Sequence, residues 1–199
     1  MRPITEIQAL RGPVSLVHLL LSQFVQPGDN TADATCGNGK DTLLMAELAG
    51  ETGHVWAFDI QNAAIQRTSM RLNEAGLDSR VTLITESHEK LSEHICLPLK
   101  AIVFNLGWLP GGDRSIITRP ETTLPAIDAS LELLVSGGIL AVTCYPGHNG
   151  GDSETDAVLN WSTGLPANRF HVWRMGQLNV SDNAPFCLVI QKAAIPDAS

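Results

Sequence analysis

Residues 33–42 read Asp33-Ala34-Thr35-Cys36-Gly37-Asn38-Gly39-Lys40-Asp41-Thr42, and Asp59 follows twenty positions after Gly39. The run is a glycine-rich turn that leaves one β-strand and opens a helix. Asp59 falls where the next strand ends, the spacing a nucleotide-binding βαβ unit requires. Glycines let backbone approach a ligand, and the helix start behind them offers free N–H groups to an anion. A carboxylate at the end of the second strand can accept both hydroxyls of a ribose. A nucleoside-containing cofactor is the expectation.

The details of the turn narrow the choice. A dinucleotide fingerprint needs glycine at position 42, where the chain has Thr42. A P-loop needs Ser or Thr after Lys40, where the chain has Asp41, and no glycine stands five before Gly39. Asp33 and Asp41 would repel a pyrophosphate. They suit S-adenosylmethionine, whose ammonium and sulfonium are cationic. The bland alternative is a tight αβ turn with a capping aspartate.

Composition bounds the rest. The chain has 199 residues, 44% of them hydrophobic and 17% charged, enough for one globular α/β domain over 1–199 with a core over about 13–192. No apolar run reaches the length of a membrane span. The start, Met1 to Glu6, lacks a basic-then-apolar leader. Four cysteines, Cys36, Cys96, Cys144 and Cys187, are scattered without metal or redox spacing. Together these lead to a cytoplasmic protein that uses thiols as small apolar residues, without membrane or metal partners. The net charge of −8 argues against a broad nucleic-acid groove. A local basic patch remains open, built from Lys100, Arg114 and Arg119, or these are solvated surface charges.

Hydrophobic periodicity and turn residues predict alternating elements. Helices are expected over 13–25, 41–49, 62–74, 121–135 and 153–162. Strands are expected over 30–35, 54–59, 81–85, 101–105, 139–145, 170–177 and 186–191. Ser136-Gly137-Gly138 is read as the stop of the fourth of these helices. The pattern implies a Rossmann-like, mostly parallel sheet with helices on both faces, and ligands beyond the carboxyl ends of its strands.

The residues after each strand form a chemical list. The first strand gives Asp33, Thr35, Gly37, Asn38 and Gly39; the second gives Asp59, Ile60 and Gln61. The third gives Ser87, His88 and Glu89, read either as a helix cap beside a surface histidine or as contacts to an adenine. The fourth gives Asn105-Leu106-Gly107-Trp108, and the fifth runs from Tyr145 through His148 and Asn149 to Gly151. Amine methyltransferases often place an Asn or Asp and an aromatic after this fourth strand. The polar group aims the lone pair of an amine, and the ring stacks on a flat substrate. Trp161 and Trp173 are read as packing residues.

These runs, with Phe104 to Asp113 and Tyr145-Pro146-Gly147-His148, resemble the small "putative rRNA methylase" family, whose members include tRNA 5-(aminomethyl)-2-thiouridine methyltransferases of the MnmM type. The resemblance spans about 13–192. It implies a seven-stranded class I methyltransferase sheet with an antiparallel last strand. It also implies an RNA-binding enzyme, often a homodimer, that methylates the aminomethyl nitrogen at the wobble uridine in the tRNA anticodon region. Lys40 stands where the family often has Asn or His, Trp108 where it often has Tyr, and Ala184-Pro185-Phe186 where it more often has Pro-Pro-Phe. The implied cofactor contacts are Asp33, Thr35, Gly37, Asn38, Gly39, Lys40, Asp41, Asp59, Gln61, Ser87 and His88. The implied catalytic group is Asn105, Trp108, Tyr145 and His148, with His148 or a water held by Tyr145 as the base. The alternatives are an rRNA base or a small-molecule amine as substrate, or a protein that binds the cofactor without catalysis.

Overall fold

The computed structural model describes residues 10–148 and 150–194. Met1 to Glu6 and Asn149 lie outside them. The described residues contain a seven-stranded sheet in the order β3-β2-β1-β4-β5-β7-β6. The strands are β1 Asn30–Asp33, β2 His54–Phe58, β3 Val81–Ile84, β4 Leu99–Asn105, β5 Leu134–Cys144, β6 Phe170–Gly176 and β7 Phe186–Lys192. The first five run parallel, and β7 lies antiparallel between β5 and β6. The helices are α1 Gly12–Phe24, α2 Lys40–Ala49, α3 Asn62–Ala75, α4 Leu91–His94, α5 Pro120–Leu133 and α6 Gly151–Thr163.

Strand β4 shows why the sheet is covered on both sides. Successive side chains point to opposite faces. Ala101 and Val103 pack with Val17 and Leu21 of α1, Met45 of α2 and Leu72 of α3. Ile102 and Phe104 pack with Leu91 of α4, Ile127 of α5 and Val158 of α6. A strand buried on both faces reads as a continuous apolar run, as this one does.

Two expectations require correction. The glycines at 137–138 do not stop a helix. Helix α5 ends at Leu133, and β5 begins at once. The register against β4 jumps from Leu99↔Leu134 to Ala101↔Ile139. Gly137, at φ +73°, supplies the left-handed residue of that irregularity. Lys100 is the second correction. It lies at the entry of β4, five residues from Asn105, or about 17 Å at a strand's rise. It therefore stands at the opposite end of the sheet from Arg114 and Arg119 and joins no patch with them.

Short 3₁₀ segments at Asp78–Arg80 and His88–Lys90 precede β3 and α4. Among the described residues, no helix is long and apolar enough to cross a membrane, and no cluster of His, Cys, Asp or Glu is arranged to hold a metal ion.

Candidate active site

The glycine turn hangs on a buried carboxylate. Asp33, the last residue of β1, has no solvent exposure. Its Oδ2 accepts the Thr42 hydroxyl at 2.6 Å, and its Oδ1 accepts the Thr35 N–H at 3.2 Å. Burial, reinforced by the charge of Asp41, pushes its pKa up to about 7, against the pull of both hydrogen bonds. Asp33 therefore ties the two ends of the turn together from behind. Gly39 caps α2 at φ +74°, and a Cβ there would meet Thr68 at 2.8–3.0 Å. Only glycine satisfies both the left-handed backbone and that contact. Burial, with Asp33 and Asp59 nearby, pushes the Cys36 thiol upward and keeps it protonated.

Asp59 reaches back to the same turn. Its Oδ2 accepts Gly37 N–H at 3.0 Å, and its Oδ1 accepts Gln61 N–H at 2.8 Å. Burial raises its pKa, and the two backbone donors oppose the rise. Each oxygen keeps a further lone pair for a hydroxyl. At Gly37 a Cβ would stand 3.1 Å from Leu109 Cδ1, so the absent side chain leaves a narrow gap between the two glycine-rich loops. Asn38 bridges those loops: Arg67 donates to its Oδ1 at 3.2 Å, and its Nδ2 reaches the Pro110 carbonyl at 3.4 Å. Arg71 donates to the Asn38 carbonyl at 2.9 Å. Lys40 is exposed on the first turn of α2.

At the third strand, Ser87 caps the 3₁₀ segment by accepting from Glu89 N–H. His88 is not a surface histidine. It is buried, edge-on to Phe104 with ring centroids 5.5 Å apart, and hydrogen-bonded to the backbone of Ala34. Burial pulls its pKa down to about 4, so the ring is neutral. Its Nε2 is sealed from solvent and finds no partner among the described residues. Ile60, beside Asp59, is exposed to 56%, an open apolar surface at the mouth of the site.

The fourth and fifth strand ends build the opposite wall. Asn105 N–H donates to Thr35 Oγ1 at 2.6 Å, which locks β4 to the glycine turn. Asn105 Nδ2 donates to Asp41 Oδ2 at 2.6 Å, and Asp41 Oδ1 lies 2.6 Å from His18 Nε2. Trp108 and His148 meet edge-to-face at 4.4 Å, and Arg114 lies 5.5 Å over the Trp108 ring. Tyr145 is half-buried; desolvation first, then the charge of Asp41, pushes its hydroxyl up to about 12 and keeps it neutral. A groove of about 570 Å³ opens beside His148, lined also by Asp152 and Asn183. Arg119 is exposed at the start of α5.

The profile of the "Putative rRNA methylase" family matches residues 55–191. The chain belongs to this family. A "putative rRNA-methylase" from Clostridium thermocellum superposes with a TM-score of 0.90 at 42% identity, covering 92% of this chain and 99% of that one. A "putative methyltransferase" from Streptococcus mutans, solved in complex with SAH, superposes with a TM-score of 0.83 at 37% identity and the same coverages. The chloroplastic tRNA (mnm(5)s(2)U34)-methyltransferase of Arabidopsis thaliana is 38% identical over 174 residues, 82% of this chain. The match spans 64% of the length of that plant protein.

Several residues of this rRNA-methylase-family site escaped the sequence reading. His18 lies partly exposed on α1, 23 positions from Asp41. Glu154, 2% exposed, accepts the hydroxyls of Thr118 at 2.6 Å and Thr123 at 2.7 Å. An acid in the first turn of a helix looks like an ordinary dipole partner. Arg67 and Arg71 look like surface charge. Only the fold brings these four side chains to the strand ends.

Proposed function

We propose that this chain is an S-adenosylmethionine-dependent N-methyltransferase that methylates the aminomethyl nitrogen of 5-aminomethyl-2-thiouridine at the tRNA wobble position. The observation that carries the proposal is Asn105. It sits at the strand end beside the glycine turn, its amide nitrogen is engaged by Asp41, and an aromatic wall stands next to it. The likeness to a plant enzyme of that named activity supports the same reading.

The residues present fit the cofactor. Asp59 has lone pairs to spare for ribose hydroxyls, the gap at Gly37 leaves room for close approach, and Ile60 offers an apolar surface for a base. Asn38, Gly39 and Lys40 belong to the same turn, Gln61 follows Asp59, and Ser87 caps the segment after β3, while Asp33, Thr35 and His88 hold the turn from beneath. When bound, S-adenosylmethionine supplies an electrophilic methyl group on a sulfonium.

The protein's own work is positioning. Trp108, with Arg114 on one side and His148 at its edge, offers a face on which the modified base stacks. The Asn105 carbonyl oxygen accepts an N–H of the amine and turns its lone pair toward the methyl group. The amine must be neutral to attack, and His148 or a water held by Tyr145 accepts its proton.

The test is mass spectrometry of tRNA nucleosides from a strain lacking the protein, with transfer assays on purified tRNA, rRNA and amine pools. Accumulation of the unmethylated aminomethyl nucleoside supports the proposal. The family's description favours rRNA as a second reading, and methyl transfer to rRNA alone would establish that instead. The reading extends to one domain over 1–199, a cytoplasmic location, the anticodon region as the docking partner and a homodimer. Light scattering with and without an anticodon stem-loop tests the last two.

A further inference from the structure

We propose that His18 is a positioning residue for the transfer step: it clamps Asp41, and Asp41 holds the Asn105 amide with its nitrogen inward and its oxygen toward the substrate. The proposal rests on the methyl-transfer reading above.

Three elements meet in this relay. His18 comes from α1, Asp41 from the first turn of α2, and Asn105 from the end of β4. Both links measure 2.6 Å. The Asp41 side chain is 9% exposed and that of His18 33%, so the carboxylate is nearly sealed while its clamp reaches the surface.

The two ends of an asparagine amide have almost the same shape but opposite hydrogen-bonding character. The backbone of Asn105 is fixed by Thr35 Oγ1, so the remaining freedom is a flip of the amide. An ionised carboxylate only accepts hydrogen bonds, so it selects the orientation with Nδ2 facing it. That leaves Oδ1 as the free end. The choice matters to chemistry. An amide oxygen accepts from the amine and leaves the lone pair available. A flipped amide would donate into the lone pair that must attack.

Asp41 can enforce this only if it does not rotate. Its second oxygen is held by His18 Nε2, which fixes the carboxylate plane. Asp41 thus engages both oxygens with the protein and acts on the substrate through Asn105. The charge of Asp41 also reaches Asp33 and Tyr145, so the relay sits among groups that feel its position.

The test uses the full chain, with single-turnover rates at saturating cofactor and tRNA and separate affinities for each. His18→Ala should slow the step by about tenfold while tRNA affinity changes by less than about twofold. His18→Gln, whose amide nitrogen stands at the same reach as Nε2, should recover most of that rate. Asn105→Asp sets two carboxylates face to face and should be nearly inactive. Asp41→Asn combined with Asn105→Asp exchanges donor and acceptor, restores an oxygen toward the amine, and should be at least about tenfold faster than Asn105→Asp alone. This pair keeps the proposal testable if His18→Ala fails to fold. A parent-like rate in folded His18→Ala, equal defects in the Ala and Gln variants, or no gain from the exchange each overturns the relay. A parent that transfers no methyl group to any tested substrate overturns the functional reading itself.

Discussion

Glu154 Oε2 accepts the Thr118 hydroxyl at 2.6 Å, and the same hydroxyl oxygen accepts the Gly107 N–H at 2.7 Å. A carboxylate 2% exposed inside α6 therefore sets the loop that carries Trp108. Gly107 O accepts Thr118 N–H at 3.0 Å and closes the loop at its base. Glu154→Ala leaves the Thr118 and Thr123 hydroxyls without their acceptor, and each such loss costs about 1–3 kcal/mol. A destabilisation of about 2–4 kcal/mol is expected by urea denaturation, with a raised KM for RNA. Glu154→Gln keeps one acceptor and should cost about half as much or less. Equal stability of Glu154→Ala and the parent would refute this anchoring.

Asp59→Ala should weaken S-adenosylmethionine binding by about 10- to 100-fold. In the proposed site two charge-assisted hydrogen bonds to a ribose would be lost, each worth about 1.5–3 kcal/mol before water compensates. The backbone groups of Gly37 and Gln61 also lose their acceptor. Calorimetry on the folded variant measures the effect. Unchanged affinity would remove Asp59 from the site.

Trp108 and Arg114 should separate stacking from charge. Trp108→Ala should cost about 1–3 kcal/mol, seen in KM or tRNA affinity more than in the single-turnover rate. Arg114→Ala should weaken tRNA binding and lower the salt slope by about one counterion. Lys100→Ala, altered at the far end of the sheet, should leave both unchanged. A salt slope that responds to Lys100 and not to Arg114 would place the RNA at the entry end of β4 and overturn the docking of RNA at Trp108.

Asp33 and His88 should impose opposite pH dependences on stability. The folded pKa of Asp33 is raised to about 7, so the native state holds a proton that the unfolded chain releases. Its contribution weakens the fold as pH rises from about 4 to about 7. The folded pKa of His88 is lowered to about 4, so the unfolded chain binds the extra proton. Its contribution strengthens the fold as pH rises from about 4 to about 6.5. The two oppose each other in the parent, where the raised carboxyls of Asp59 and Glu154 act in the same sense as Asp33. Relative to the parent, Asp33→Asn should tilt the slope toward stability that rises with pH, and His88→Gln toward stability that falls. Each slope is bounded at about 1.4 kcal/mol per pH unit for a single proton. Denaturant titrations between pH 4.5 and 7.5 provide the measurement, and identical slopes in all three proteins would contradict both assignments.

The sequence by itself determined the order of the seven strands and the five longer helices, the glycine turn and Asp59, because these depend on local rules; the single turn of α4 at Leu91–His94 and the 3₁₀ segments are too short to leave a periodic signal. Apolar runs, turn residues and the twenty-residue interval from Gly39 to Asp59 are all visible along one stretch of chain. It also placed Asn105, Trp108, Tyr145 and His148 at strand ends, since a parallel sheet collects those ends on one side. Boundaries slipped where backbone geometry outweighed composition, as at Gly137, where two glycines that resemble a helix stop make an irregularity inside β5. What only the tertiary structure decided is which side chains share a hydrogen bond. His18 meets Asp41 across 23 residues, and Asn105 meets Asp41 across 64. Glu154 meets Thr118 across 36, and His88 turns inward onto Phe104. A hydrogen bond needs its atoms within about 3 Å, and no local pattern fixes a distance between helices and strands that meet only when the core packs.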